Sequence, residues 1–382
     1  MKVALLFVDG LLGGRNMLQM DKENYIDFYK NTASEYGIHV KKLITVLLEK
    51  EHKISFDEQT SFEDQPYCKY YKQRDISKII QETVLDSNFL EFYNQFDFFK
   101  MYKYSVPFFF EGDVVESFKN LTEKGIVVDC KKSIESYIIA SGFDDVVPVY
   151  YKSEDGNLYI KFVFQKHYFK DETVEQVNYR YTIVVYIDVA DNIIDIRYDS
   201  LKRYHDSKTA YEANLENVLR WIKDNLKINL FKCDSSQFLD VVNQNEADVT
   251  IFKQMMDMGK AGQAELTASK DTDYILPFVG ELRELIDENK DLFEDSPEIR
   301  KLFEDYLNEK EVTASYPYVY LMWKNAIITK QFIVKVTFSF FENCYIQLQH
   351  ITGNCTDVRM ERMNDAIRYF SSSGAFIKGE EI

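Results

Sequence analysis

The chain has 382 residues, 46% apolar and 29% charged, and its 63 Asp and Glu outweigh 46 Lys and Arg to leave a net charge of −17. Such a composition belongs to packed globular domains, about two or three by length, and excludes a disordered chain. The charge excludes long-range steering towards nucleic acid or an anionic membrane surface.

The opening MKVALLFVDGLLGGR reads as a buried strand over residues 2–8, ended by a turn at Asp9 and Gly10. Its apolar run is interrupted too early for a secretory signal, and no run in the chain approaches the roughly 20 residues that span a bilayer. Asp21 to Tyr36 has the apolar spacing of a helix, with Gly37 as its stop, and a second helix is expected in IHVKKLITVLLEKEHK. Residues 55–75 read as a polar surface loop and 76–100 as helical. In VPFFFEGDVVESFKNLTEKGIVVDCKK a strand precedes a helix from Asp113 to Glu123, a Gly125 stop and a strand at Ile126–Asp129.

The clearest β region follows. VPVYY, NLYIKFVF, YRYTIVVYIDV and NIIDIRY are rich in β-branched and aromatic residues, with a turn at Asp191–Asn192 between the last two. Tyr211, Leu215, Val218, Leu219, Ile222 and Leu226 then form one stripe of an amphipathic helix that Ser207 is placed to cap. Residues 236–310 read as mainly helical and acidic, and Ser296 with Pro297 marks a helix start. From Glu281 to Glu311 there are twelve Asp/Glu and five Lys/Arg, a local net of −7 that suits either a solvated face or a docking surface for a basic partner. YPYVYLMW, FIVKVTFSFF and CYIQLQHI return to β structure before a helix from Thr356 to Phe370.

The expected fold is therefore α+β: an N-terminal, mainly helical α/β domain (1–145), a β-meander with a helix (146–230), an acidic helical segment (231–311) and a C-terminal β-hairpin with a helix (312–382). Residues 182–198 and 333–349 share a strand–turn–strand plan at an offset of 151 residues, each followed by a helix, which suggests two related ββα lobes.

Signatures of chemistry are sparse. Gly10, Gly13 and Gly14 have neither the spacing of a dinucleotide fingerprint nor the Lys-Ser/Thr of a phosphate loop, and GKAG at 259–262 lacks the rest of one. Asp113 with Asp129-x-Lys131 has the residue types of a divalent-metal phosphoesterase, but a helix separates the two acids. Cys68, Cys130, Cys233, Cys344 and Cys355 are far apart and contain no CxxC, so no disulfide framework or zinc knuckle is expected, and His205 reads as a surface loop residue. A cytoplasmic protein without metal, cofactor or membrane contact is the expectation.

The polar side of the central strands is the binding candidate. Alternation places Tyr159 and Lys161 on one side of their strand, Arg180 and Tyr186 on one side of the next, and Arg197 on the polar side of the third, with Lys202 and Arg203 just beyond. Residues 157–208 carry eight Lys/Arg and eight Asp/Glu, a neutral stretch in an acidic chain. Tyr and Arg dominate protein interfaces, and the same residues on an open sheet stack bases and touch phosphates. The leading expectation is a non-catalytic recognition protein (an adaptor, sensor or complex subunit) with a protein partner. A nucleic-acid-binding component of a bacterial defence or mobile-element system is the alternative, and a metal phosphoesterase the third. The leading reading assumes ionisable groups dispersed over the exterior and never gathered into a reactive pocket.

Overall fold

The computed structural model describes residues 17–19, 22–57, 68–72, 75–130, 138–140, 143, 146–169, 176–200, 208–244, 249–257, 263–267, 277–293, 296–313, 315–323, 332–351 and 360–382. In chain order these form β1 (Met17–Gln19), α1 (Lys22–Ser34), α2 (Ile38–Lys50), β2 (Ile54–Ser55), β3 (Lys69–Tyr70), α3 (Ile76–Leu85), α4 (Leu90–Phe99), β4 (Tyr104–Glu111), α5 (Val114–Glu123) and β5 (Val128–Asp129). There follow β6 (Ile138–Ala140), β7 (Val149–Lys152), β8 (Leu158–Phe169), β9 (Gln176–Asp188), β10 (Ile193–Tyr198), α6 (Lys208–Leu226), β11 (Asn229–Asp234), α7 (Phe238–Gln244), β12 (Val249–Asp257) and β13 (Gln263–Thr267). The last are α8 (Pro277–Glu288), α9 (Pro297–Thr313), β14 (Ser315–Trp323), β15 (Ile333–Phe340), β16 (Tyr345–Ile351), α10 (Met360–Ser372) and β17 (Ile377–Glu381).

The fold class is α+β, as expected. The chain divides into two compact units, one of residues 1–235 with 352–382 and one of residues 236–351. The division into units does not confirm the plan of two ββα lobes. The β15–β16 hairpin belongs to the second unit, whereas α10, the helix that would complete its lobe, belongs to the first.

In the first unit, β8, β9, β10, β4, β11 and β17 lie side by side in that order, each antiparallel to its neighbour. One face is apolar because period 2 puts Ile160, Phe162, Ile183, Val185, Ile194 and Ile196 on it, all buried. The α6 stripe closes this face, with Trp221 5.2 Å ring to ring from Phe162 and Tyr211 5.8 Å from Tyr198. Helices α1 to α4 bring Tyr29, Leu43, Ile44, Leu48, Ile79, Val84 and Phe89 into one core cluster. Local signals set the ends of several elements. Asp75 and Asp113 accept the Lys78 and Glu116 backbone N–H groups at the starts of α3 and α5, and Gly125 leaves α5 at φ +66°. Gly37 does not stop α1 in a left-handed turn; at φ −61° it is the N-cap of α2.

The β9–β10 turn holds Asn192 at φ +54°, a region that Asn and Gly tolerate and β-branched residues do not. Asn192→Val is expected to cost about 1–2 kcal/mol and Asn192→Gly under about 0.5 kcal/mol, read as shifts of a urea midpoint.

The second unit is an antiparallel sheet in the order β16–β15–β14–β12–β13. Val319, Leu321, Val334, Val336 and Leu348 are buried on one face. On the other, Lys335 Nζ lies 3.6 Å from the ring centroid of Tyr318. The stretch 236–310 is mainly helical among its described residues, as expected, but β12 and β13 add two strands that the sequence reading did not place: a register shift between Ile251 and Lys253 breaks the alternation that would have marked β12 as a strand. Helices α8 and α9, joined by a 3-10 turn at Lys290–Phe293, form a hairpin of their own. Among the described residues, no helix is long and apolar enough to cross a membrane.

Candidate functional site

The structure brings most of the expected site residues to one face of the first unit's sheet, and then covers that face. Register aligns Tyr159 with Tyr186, Lys161 with Val184, and Arg197 with Val184 from the other side, so these side chains share a face as alternation required. The expectation that they look into solvent is wrong: Tyr159, Lys161, Arg180, Tyr186 and Arg197 are all buried, Arg197 at 0% exposure. Lys202 and Arg203 lie outside the described residues, as do Asp9, Lys131, His205, Ser207 and the Gly13–Gly14 turn.

Side chains of α1, α4 and α10 close over this face by bonding to it. On α1, Asn31 Nδ2 donates to Asn178 O at 3.0 Å and Thr32 Oγ1 accepts the Arg180 backbone N–H at 2.9 Å, which satisfies a length of β9 that β10 does not reach. On α4, Asp97 Oδ2 sits 2.9 Å from Arg180 Nη2 and 3.6 Å from Lys161 Nζ, and Lys161 donates to Asn94 O at 2.6 Å. The Arg180 guanidinium lies 3.9 Å from the Tyr29 ring centroid, and its Nε and Nη1 make no hydrogen bond among the described residues. The aromatic face stands in for those missing acceptors.

A second set lies under α10. Arg197 donates through Nε to Asp195 Oδ2 at 2.6 Å and through Nη2 to Asn364 Oδ1 at 2.8 Å, and Asn364 Nδ2 donates to Tyr159 Oη at 3.0 Å. At the rim, Asp188 Oδ2 accepts from Tyr186 Oη at 2.7 Å and from Arg368 Nε at 3.0 Å, while Arg368 Nη2 reaches Asp155 at 3.3 Å. Ionisable groups are thus gathered inside the molecule and not only dispersed over its exterior, which corrects the assumption behind the leading reading. Each of Asp97, Asp195, Asp188 and Asp155 is engaged by a cation.

Burial and pairing shift these groups. Burial pushes the Asp97 carboxyl up, but Arg180, Lys161 and Lys100 outweigh it and hold Asp97 below the usual carboxylate range. The Asp195 carboxyl is raised, because burial outweighs the pull of Arg197. Burial, only partly opposed by Asp97, pushes Lys161 down to about 8. A base whose native pKa lies below its unfolded value releases its proton from the folded state first, so stability rises with pH between the two values. Relative to Lys161→Met, the wild type should gain stability from about pH 8 to about pH 10, by at most about 1.4 kcal/mol per pH unit, in paired urea titrations.

Of the metal-site candidates, Asp9 and Lys131 lie outside the described residues. Asp113 is occupied as the α5 cap, with Oδ1 2.9 Å from the Glu116 backbone N. Among the described residues, no three His, Cys, Asp or Glu are grouped to hold a metal ion.

The exposed surface tells a different story. Eleven large apolar side chains are exposed among the described residues, and six of them fall between Leu285 and Tyr306. Four (Ile299, Leu302, Phe303 and Tyr306) follow the i, i+3, i+4, i+7 pattern on α9, with Leu302 68% exposed. Leu292 in the connecting turn is 76% exposed. The two helices are joined on another side, where Arg283 Nη2 donates to Asn308 Oδ1 at 2.7 Å and Arg300 Nη2 reaches Asp287 at 3.4 Å. Ile286 and Leu307 are buried. The acidic run noted in the sequence therefore frames an apolar stripe turned outwards. That stripe was readable in the spacing of SPEIRKLFEDYL, but not its exposure.

No protein-family model matches the chain, and no curated protein matches it.

Proposed function

We propose that this chain is a non-catalytic recognition protein, an adaptor, sensor or complex subunit, and that the α8–α9 hairpin is where it meets a protein partner. The observation that carries this reading is the outward apolar stripe of α9, since soluble proteins seldom leave a contiguous set of large apolar side chains in water without a use for it. The buried charge layer of the first unit supports it from the other side. Lys161, Arg180 and Arg197 are committed to Asp97, Asp195 and Asn364, so a nucleic acid would reach them only by displacing helices.

The test is comparative capture from a lysate of the cell of origin. Proteins retained by the wild type should be lost with Leu302→Asp/Phe303→Asp and kept with the exposed-site control Val46→Asp on α2. Equal capture by all three proteins would remove the hairpin from the account. In a gel-shift titration, single-stranded or duplex DNA should give no complex at low salt, where phosphate contacts are strongest.

A further inference from the structure

We infer that the partner segment is a basic amphipathic helix that lies along the α8–α9 hairpin as its third helix; the inference rests on the reading of the hairpin as the contact surface. At about 100° per residue, Ile299, Leu302, Phe303 and Tyr306 fill one sector of α9. Arg300 and Asn308, which bond to α8, fall outside that sector, and on α8 Leu285 lies about 160° from Asp287 by the same count. The hairpin therefore has a polar, bonded side and an apolar side shared by Leu285 and the α9 stripe. Two helices cannot bury an outward stripe by themselves, and a third laid over it is the packing that buries it.

Charge selects the occupant. Residues 281–311 carry a net of −7. On either side of the stripe Glu288, Asp291, Glu298 and Asp305 make no ion pair among the described residues, whereas Arg300 is already engaged by Glu304 and Asp287. A second copy of the same hairpin would bring like charge to like charge, and an anionic lipid surface would be repelled in the same way. A helix with Leu-type residues at i, i+3 or i+4 and i+7 and Lys or Arg on its flanks meets both the stripe and its acidic frame.

Three synthetic peptides of ~18 residues, long enough to hold helix on a surface, discriminate the possibilities by fluorescence anisotropy against the full chain. One has a Leu stripe with Lys flanks, one the same stripe with Glu flanks, and one the Leu/Lys composition scrambled so that no stripe forms. The Leu/Lys helix should bind the wild type and weaken at least ~10-fold between 0.05 and 0.5 M salt. It should weaken at least ~30-fold with Leu302→Asp/Phe303→Asp and ~10-fold with Glu298→Lys/Asp305→Lys. Equal binding of the Lys- and Glu-flanked helices, both lost with the Asp variant, would overturn the basic partner and leave the hairpin reading standing. Leu/Lys binding untouched by the Asp variant would overturn both. Scrambled peptide binding as well as the stripe, or a concentration-dependent dimer in light scattering that the Asp variant abolishes, would also overturn the inference.

Discussion

Asp97→Asn is expected to lower folding stability by about 3–5 kcal/mol, a large fraction of the 5–15 kcal/mol typical of a domain. Asp97 is 1% exposed, and it is the carboxylate that balances Arg180 and Lys161, both 3% exposed. An Asn amide accepts a hydrogen bond but carries no charge, so two buried cations would remain against Tyr29, Asn94 and Phe98 without their carboxylate. The loss should appear as a lower urea midpoint at unchanged slope, which separates lost stability from a change in the unfolded state. Because the native Asp97 carboxyl is held low, its contribution is present above the usual carboxylate range and fades as pH falls through the native value. The Asn variant should lack that acid-side loss. Replacing Asp97, Arg180 and Lys161 together by apolar residues of similar volume should recover most of the stability, since the cost lies in breaking the set and not in lacking it.

Leu302→Asp/Phe303→Asp should have the opposite profile: stability within about 0.5 kcal/mol of wild type, and partner affinity reduced ~30-fold or more. Both side chains are exposed in the free chain, so a carboxylate at either position remains hydrated and costs little until a partner covers it. In a complex the same carboxylates would be desolvated at the centre of the stripe, where a few side chains carry most of the binding energy. Full retention of affinity, measured on the captured partner once purified, would place the interface elsewhere.

Much of the fold was legible in the sequence because local physics wrote it there. The strands β7 to β10, the α6 stripe, the Asp191–Asn192 turn and the Pro297 start of α9 were all found where their periodicity or turn chemistry put them. What the sequence left hidden was what covers each face. Alternation says that Tyr159, Lys161, Tyr186 and Arg197 share a side, but Asn364, which bonds Arg197, is 167 residues away, and Asn94, whose carbonyl accepts from Lys161, is 67 residues away. The signal that points to such a layer is on the covering helices. In LEFYNQFDFF, Asn94 and Asp97 are three apart in a run with five aromatic residues, and Asn364 stands between Met363 and Ala366, both buried. A polar residue on an apolar helical face implies a polar partner opposite it.

Hydroxyl-radical footprinting of the native protein tests the central division, charge sealed inside the first unit and apolar surface offered by the hairpin, in one experiment. Leu292, Leu302, Phe303 and Tyr306 should be oxidised rapidly, while Tyr29, Tyr159 and Tyr186 stay protected until denaturant unfolds the chain. Rapid oxidation of Tyr159 and Tyr186 in the native protein, at the rate of Tyr306, would mean that the polar sheet face is open, and the account would be wrong.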